Sequence, residues 1–353
     1  MRISAHLRSG LAIAAAALSL PACGSDNEAL LTDAKYEQNA VQDVKLFIQD
    51  NLDAFAAATA ELQAAAPAPD ADGWSATTDE EAVDAMKAAW KKARQSYERV
   101  EGAIAVIFPD FDYSTDARYD AFIEVTADDD LFDDEGVTGV HAVERILWAD
   151  QIPEPVLAFE SALANYEAAA FPATEAEAAA FKGALCARLA ADAETMRSDF
   201  KNLALDASSA YRGVINSILE QVEKTSKAAT GEEESRYAQY TLADMRANVA
   251  AGERTYQAFQ PWVLSKGAEG EEVDEAVLAG FDRLSSAYDA IEGDALPPLP
   301  EGWSEQAPTE EQLATPFGKL FSLVEHESDD ATPGTLAYDM TRSADLLGID
   351  ALP

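Results

Sequence analysis

The chain has 353 residues, 48% of them hydrophobic, and a formal net charge of −40 from 65 acidic against 25 basic side chains. That is enough length and apolar material to bury a core in one large or two modest domains. The acidity excludes nucleic acid and anionic lipid surfaces as partners, whose phosphates it would repel, and fits cation partners, a salty habitat or simple solubility.

In chain order, Arg2 and Arg8 give a charged start and Leu11 to Leu20 is an apolar run too short to span a bilayer. Leu20-Pro21-Ala22-Cys23 follows. This predicts a lipoprotein signal peptide over 1–22, Cys23 as the lipidated first residue of the mature chain, and a tether over 23–35. The alternative is an ordinary cleaved signal that happens to contain a cysteine. Gly24 is not an inner-membrane retention signal, which points to a lipid anchor at the periplasmic face of the outer membrane or the cell surface. With Arg2 and Arg8 removed, 23 basic and 65 acidic residues leave the mature chain at −42.

Beyond the tether, apolar residues recur at three- and four-residue spacing, and alanine, leucine and acidic residues dominate, which predicts an all-α fold. Helices are expected at 36–65, 79–107, 139–149, 154–170, 175–203, 208–225, 232–265, 271–292, 309–327 and 335–347. The stretches "PAPDADG" (67–73), "FPDFDYSTD" (108–116), "ATGEEE" (229–234) and "LPPLPEGW" (296–303) serve as punctuation. Long helices with such connections predict antiparallel bundles, with a split near residue 205 into one over 36–205 and one over 206–353. The acidic stretch 116–136 lacks the glycine placement and final glutamate of a calcium loop and reads as a solvated turn. Cys186, the only thiol left once Cys23 is acylated, lies in a helical pattern and reads as a small buried apolar residue.

Two windows stand apart. In "GVTGVHAVERILW" (136–148), His141 and Glu144 lie three residues apart, so they neighbour each other on one helix face. At about 100° per residue both border the apolar stripe of Val140, Val143 and Leu147. In "YERVEGAIAVIF" (97–108) the same pattern of apolar and ligand-type positions recurs, with Glu98 and Glu101 where His141 and Glu144 stand. Three carboxylates buried together would cost on the order of several kcal/mol for each unpaired charge, so they must bind protons or share a counter-charge. A metal ion supplies that charge, and bundles build carboxylate metal sites from such i, i+3 pairs. An imidazole with carboxylates suits iron, manganese, zinc or copper better than calcium. Each pair alone also fits a plainer role. His141 and Glu144 could share a helix-surface hydrogen bond, and Glu98 and Glu101 could form a solvated face flanked by Arg94 and Arg99.

Hydrolytic chemistry has little support: there is no His-Glu-x-x-His zinc signature, Gly-x-Ser-x-Gly elbow, P-loop or dinucleotide fingerprint. His326, in "VEHESDD", reads as a solvated helix end.

"AWKKARQSYERVEGAIAVIFPDFDYSTDARYDAF" followed by "TGVHAVERILW" resembles the imelysin-like family, in particular its periplasmic iron-uptake lipoproteins of the EfeO and EfeM type. "GEEESRYAQYTLADMRANVAAGERTYQAF" is similar to a second stretch of that family, so the likeness runs from about residue 36 onward. The resemblance implies an all-α fold of two antiparallel four-helix bundles and a metal site at the Gly-x-His-x-x-Glu motif. Position by position it implies His141 and Glu144 from that motif, Glu98 and Glu101 from a Tyr-Glu-x-x-Glu stretch, and Asp116 from the turn, with Asp112 and Asp120 the alternatives to Asp116. It also implies capture of iron, or of copper or zinc, for delivery to an inner-membrane iron permease. Departures from the family pattern fall at Ala238, Gln239, Tyr240 and Thr241, and no cupredoxin domain is present. Two readings of other classes remain open: a metallopeptidase with Glu101 as base, as some family members are classed, and a polysaccharide-binding module with a groove lined by Trp90, Trp148 and Tyr240.

Overall fold

The computed structural model describes residues 31–350, Ala76 excepted. The expected signal peptide, the lipidated Cys23 and most of the tether lie outside the described residues. Every regular element among the described residues is helical, as the periodicity predicts, and no helix is long and apolar enough to cross a membrane.

The helices in chain order are α1 (Asp33–Ala65), α2 (Glu80–Glu98), α3 (Glu101–Ile107), α4 (Pro109–Asp116), α5 (Tyr119–Ile123), α6 (Val140–Leu147), α7 (Glu154–Glu160), α8 (Glu175–Ala180), α9 (Cys186–Asn202), α10 (Ala207–Lys227), α11 (Thr241–Leu264), α12 (Ala268–Asp289), α13 (Glu310–Leu313), α14 (Pro316–Glu327) and α15 (Leu336–Leu347). A π-helical turn, Phe181–Leu185, joins α8 to α9. In α1 the buried Val44, Ile48, Leu52, Phe55 and Leu62 recur every three or four residues and form one apolar stripe. That stripe packs on α2, α9, α10 and α11. Helices from 36–205 and from 206–353 therefore touch directly, and α3 lies along α10. The α3–α10 approach depends on two glycines: a Cβ on Gly102 would lie 2.4 Å from the Gly213 carbonyl oxygen. Cys186 is buried, and His326 is exposed at the end of α14.

Several expected elements differ, and in three of them tertiary hydrogen bonds replace helical ones. The 79–107 helix breaks at Arg99 and Val100, where the Glu98 carbonyl accepts from Asn248 Nδ2 at 2.8 Å instead of serving the helix ladder. The 154–170 helix ends at Glu160; beyond it, Glu167 donates its N–H to Tyr119 Oη, and its carbonyl accepts from Arg145. The 232–265 helix starts only at Thr241, because the N–H groups of Tyr237 and Ala238 are donated to the Glu144 carboxylate, and Gln239 adopts a left-handed φ of 52°. The stretch 108–116, expected as a turn, forms a short helix opened by Pro109, whose fixed φ suits a first helical position, and a second short helix follows at Tyr119–Ile123.

Candidate metal centre

His141 and Glu144 project from α6, whose residues are all buried. The chain enters α6 through Gly139, at φ 94° and so close to α4 that a Cβ would lie 2.5 Å from the Thr115 carbonyl oxygen. This backbone-to-backbone contact holds Asp116, the last residue of α4, beside His141: Asp116 Oδ1 lies 3.5 Å from His141 Nε2. Gly139→Ala is expected to destabilise the fold by about 1–3 kcal/mol through forced φ and overpacking, and to weaken metal binding by moving Asp116. A urea midpoint and a metal titration on the same sample check both.

Glu144 orients the histidine. Its Oε2 lies 2.7 Å from His141 Nδ1, and its Oε1 accepts the Tyr237 and Ala238 N–H groups at 3.0 and 2.8 Å. Burial raises the Glu144 pKa, and the imidazole and amide donors act against it in favour of the carboxylate form, which takes the Nδ1 proton as its hydrogen bond and leaves the Nε2 lone pair free, as metal-binding histidines require. His141 Nε2 is buried and has no hydrogen-bond partner. Burial, helped by the nearby Arg94 guanidinium, pushes the His141 pKa down to about 4, so the ring is neutral at physiological pH.

Around this pair stand residues that the sequence did not single out for the site. Glu234, from the irregular segment before α11, completes a set with Asp116 and His141 whose donor atoms lie within 4.8 Å of one another. Glu98, Glu101, Asp116 and Glu234 form a second such set. Arg94 runs through the middle: its guanidinium pairs with Glu98, Asp116 and Glu234, and its Nε lies 3.3 Å from Asp244 Oδ2. Lys224, from α10, pairs with Glu98 Oε2 at 3.0 Å, Glu101 Oε2 at 3.2 Å and Glu234 Oε2. Asn248 donates to Glu101 at 3.2 Å and is itself oriented by Gln221. All five residues expected from the sequence, His141, Glu144, Glu98, Glu101 and Asp116, thus gather in one bay. Of the alternatives to Asp116, Asp112 accepts from Tyr97 Oη at 2.6 Å on the cleft wall, and Asp120 pairs with Arg236.

Glu98, Glu101, Asp116, Glu144, Glu234 and Asp244 set six carboxylates against two cations, an excess of negative charge in a largely buried space. Burial raises Glu98 and Asp116 and pushes Glu101 and Asp244 up to about 7. Burial acts on Glu234 as well, but Lys224 and Arg94 outweigh it and hold that carboxylate well below its ordinary range. A bay that must otherwise take up protons, with an orphaned imidazole nitrogen at its edge, suits a divalent transition-metal ion. A cleft of about 430 Å³, lined by Glu101, Asp112, Asp116, Glu220, Glu223 and Glu234, leads to it. Trp90, Trp148 and Tyr240 are buried and pack edge to face in the core.

Of these residues, Glu234 had a visible signal in the run of three glutamates at 232–234, and Lys224 had one in standing one helical turn after Glu220. Nothing in the spacing tied either to His141.

The chain is similar to known proteins in sequence and in fold. Iron uptake system component EfeM of Bacillus subtilis (strain 168) is 25% identical over 207 residues, which cover 58% of this chain and 43% of that protein; the chain thus matches less than half of its relative's length. An imelysin-like protein from Psychrobacter arcticum 273-4 superposes with a TM-score of 0.58 over 92% of this chain and 98% of its own, at 9% identity, a likeness of fold. The imelysin family profile matches residues 48–321, spanning the whole bay from Arg94 to Asn248, and the chain belongs to the imelysin family.

Proposed function

We propose that the protein captures a transition-metal ion, iron first among the candidates, for an uptake system. Its ligands are His141 Nε2, Asp116 and Glu234, with Glu98 and Glu101 in the same bay and Glu144 orienting the histidine. The observation that carries this reading is the buried, unpartnered His141 Nε2 facing Asp116 inside a carboxylate bay with too little positive charge. The resemblance to an iron-uptake component supports iron as the cargo. In this reading Cys23 carries a lipid that holds the protein in the periplasm or at the cell surface. The acidic cleft draws cations inward, and an inner-membrane permease receives the ion.

Titration of the purified protein with ferrous iron, copper, zinc and manganese tests the reading. One ion per chain is expected at about pH 7.5, with affinity at least tenfold weaker near pH 5.5. The sign follows from the bay: Glu101, at about 7, takes up a proton as pH falls through neutrality, burial raises Asp116 in the same direction, and His141, at about 4, is uncharged across the whole interval. An exposed carboxylate site would keep its affinity down to about pH 5, because ordinary carboxyl groups titrate near 4. Failure to bind any of these ions at pH 7.5 would sink the assignment.

A further inference from the structure

We propose that Lys224 is a tethered cation that fills one of two ion positions in the bay, so that the protein carries a single, releasable metal ion instead of a pair. The inference rests on the metal-capture reading above and concerns how that site is limited. Lys224 is buried and touches Glu98, Glu101 and Glu234, three of the four carboxylates whose oxygens lie close enough together to bind a metal by themselves. Its ammonium therefore stands where a second ion would sit. The other position, at His141 Nε2, Asp116 and Glu234, contains the orphaned nitrogen; its two carboxylates pair with the fixed fork of the Arg94 guanidinium and not with a mobile ammonium at all three donors.

Glu234 belongs to both positions, pairing with Lys224 through Oε2 and with Arg94 through Oε1. A metal ion at His141 must draw charge from the carboxylate that Lys224 already uses, so the ammonium weakens the ion's hold. A lysine is suited to this role because it is a compact charge on a flexible stem, whereas a guanidinium has a fixed fork. Lys224 also lines the cleft, together with Glu220 and Glu223.

The test compares wild type with Lys224→Met, using cobalt(II), whose visible spectrum reports coordination, and zinc by calorimetry. A competitor predicts that Lys224→Met binds a second equivalent or binds the first at least roughly tenfold tighter, because an opposing charge within contact distance has been removed. A lysine that only balances charge predicts unchanged stoichiometry and affinity no better than wild type, which would overturn the proposal while leaving metal capture intact. Binding in the variant alone would support the competitor role and overturn metal capture by the wild type; binding in neither would overturn both. If Lys224→Met does not fold, the charge-balanced Glu98→Gln/Lys224→Met protein carries the test, with tighter binding at the His141 position as the supporting outcome and no gain as the refuting one.

Discussion

His141→Ala is expected to lower metal affinity on the order of 100-fold or more, since even an outer-shell partner of a ligand is worth about 10- to 100-fold. His141 supplies the nitrogen donor of the bay, and without it the same ion faces only oxygens that Arg94 and Lys224 already engage. Selectivity should shift with affinity: the remaining all-oxygen set suits manganese or magnesium better than zinc or copper. The fold should survive. Truncating one buried ring on a short helix costs about 1–3 kcal/mol, and α6 keeps Val140, Val143, Ile146 and Leu147 in the core. Calorimetric titration beside a far-UV circular dichroism spectrum separates the two effects. Unchanged affinity in a folded variant would reduce the His141–Glu144 pair to a structural hydrogen bond and remove the iron-uptake reading with it.

The second large effect is on stability. Arg94→Met is expected to cost about 3–5 kcal/mol in the metal-free protein, the usual consequence of removing one partner of a buried charge cluster. The methionine fills the space of the arginine stem, but Glu98, Asp116, Glu234 and Asp244 are left to share Lys224 and whatever protons they can bind. Burial alone would lower the Arg94 pKa, yet those four carboxylates together raise it well above its ordinary value, so the guanidinium is charged at any working pH. A bound divalent ion should recover part of the loss, because it stabilises by binding the folded state. The urea midpoint should therefore rise more on adding metal in Arg94→Met than in wild type. Equal midpoints for the two metal-free proteins would mean that Arg94 is not the counter-charge that holds the bay together.

The sequence carried the paired windows at 98–101 and 141–144 because ligand-type residues at helical spacing on the edge of an apolar stripe are a local pattern. It carried Asp116 only through family resemblance, and it read 108–116 as a turn because a stretch rich in aspartate and aromatics has weak helix propensity. Arg94 was visible only as a flanking charge. Its extended reach, through a buried guanidinium, to residues up to 150 positions away is not a property of any window. The same holds for Glu234. Its segment was taken as the first turns of a long helix, and it is irregular because two of its N–H groups are bound to Glu144.

By itself the sequence determined that the chain is helical, where its apolar faces run, and that Glu98, Glu101, His141 and Glu144 occupy equivalent edges of those faces; periodicity and spacing are set by neighbours within a few residues. Only the tertiary structure decided that these edges meet Lys224 and Arg94, that Glu234 joins His141 and Asp116, and that helices stop where their backbone groups bond to distant side chains. Those outcomes depend on charges and hydrogen bonds between residues far apart in the chain, whose energies exist only once burial has removed the competing water.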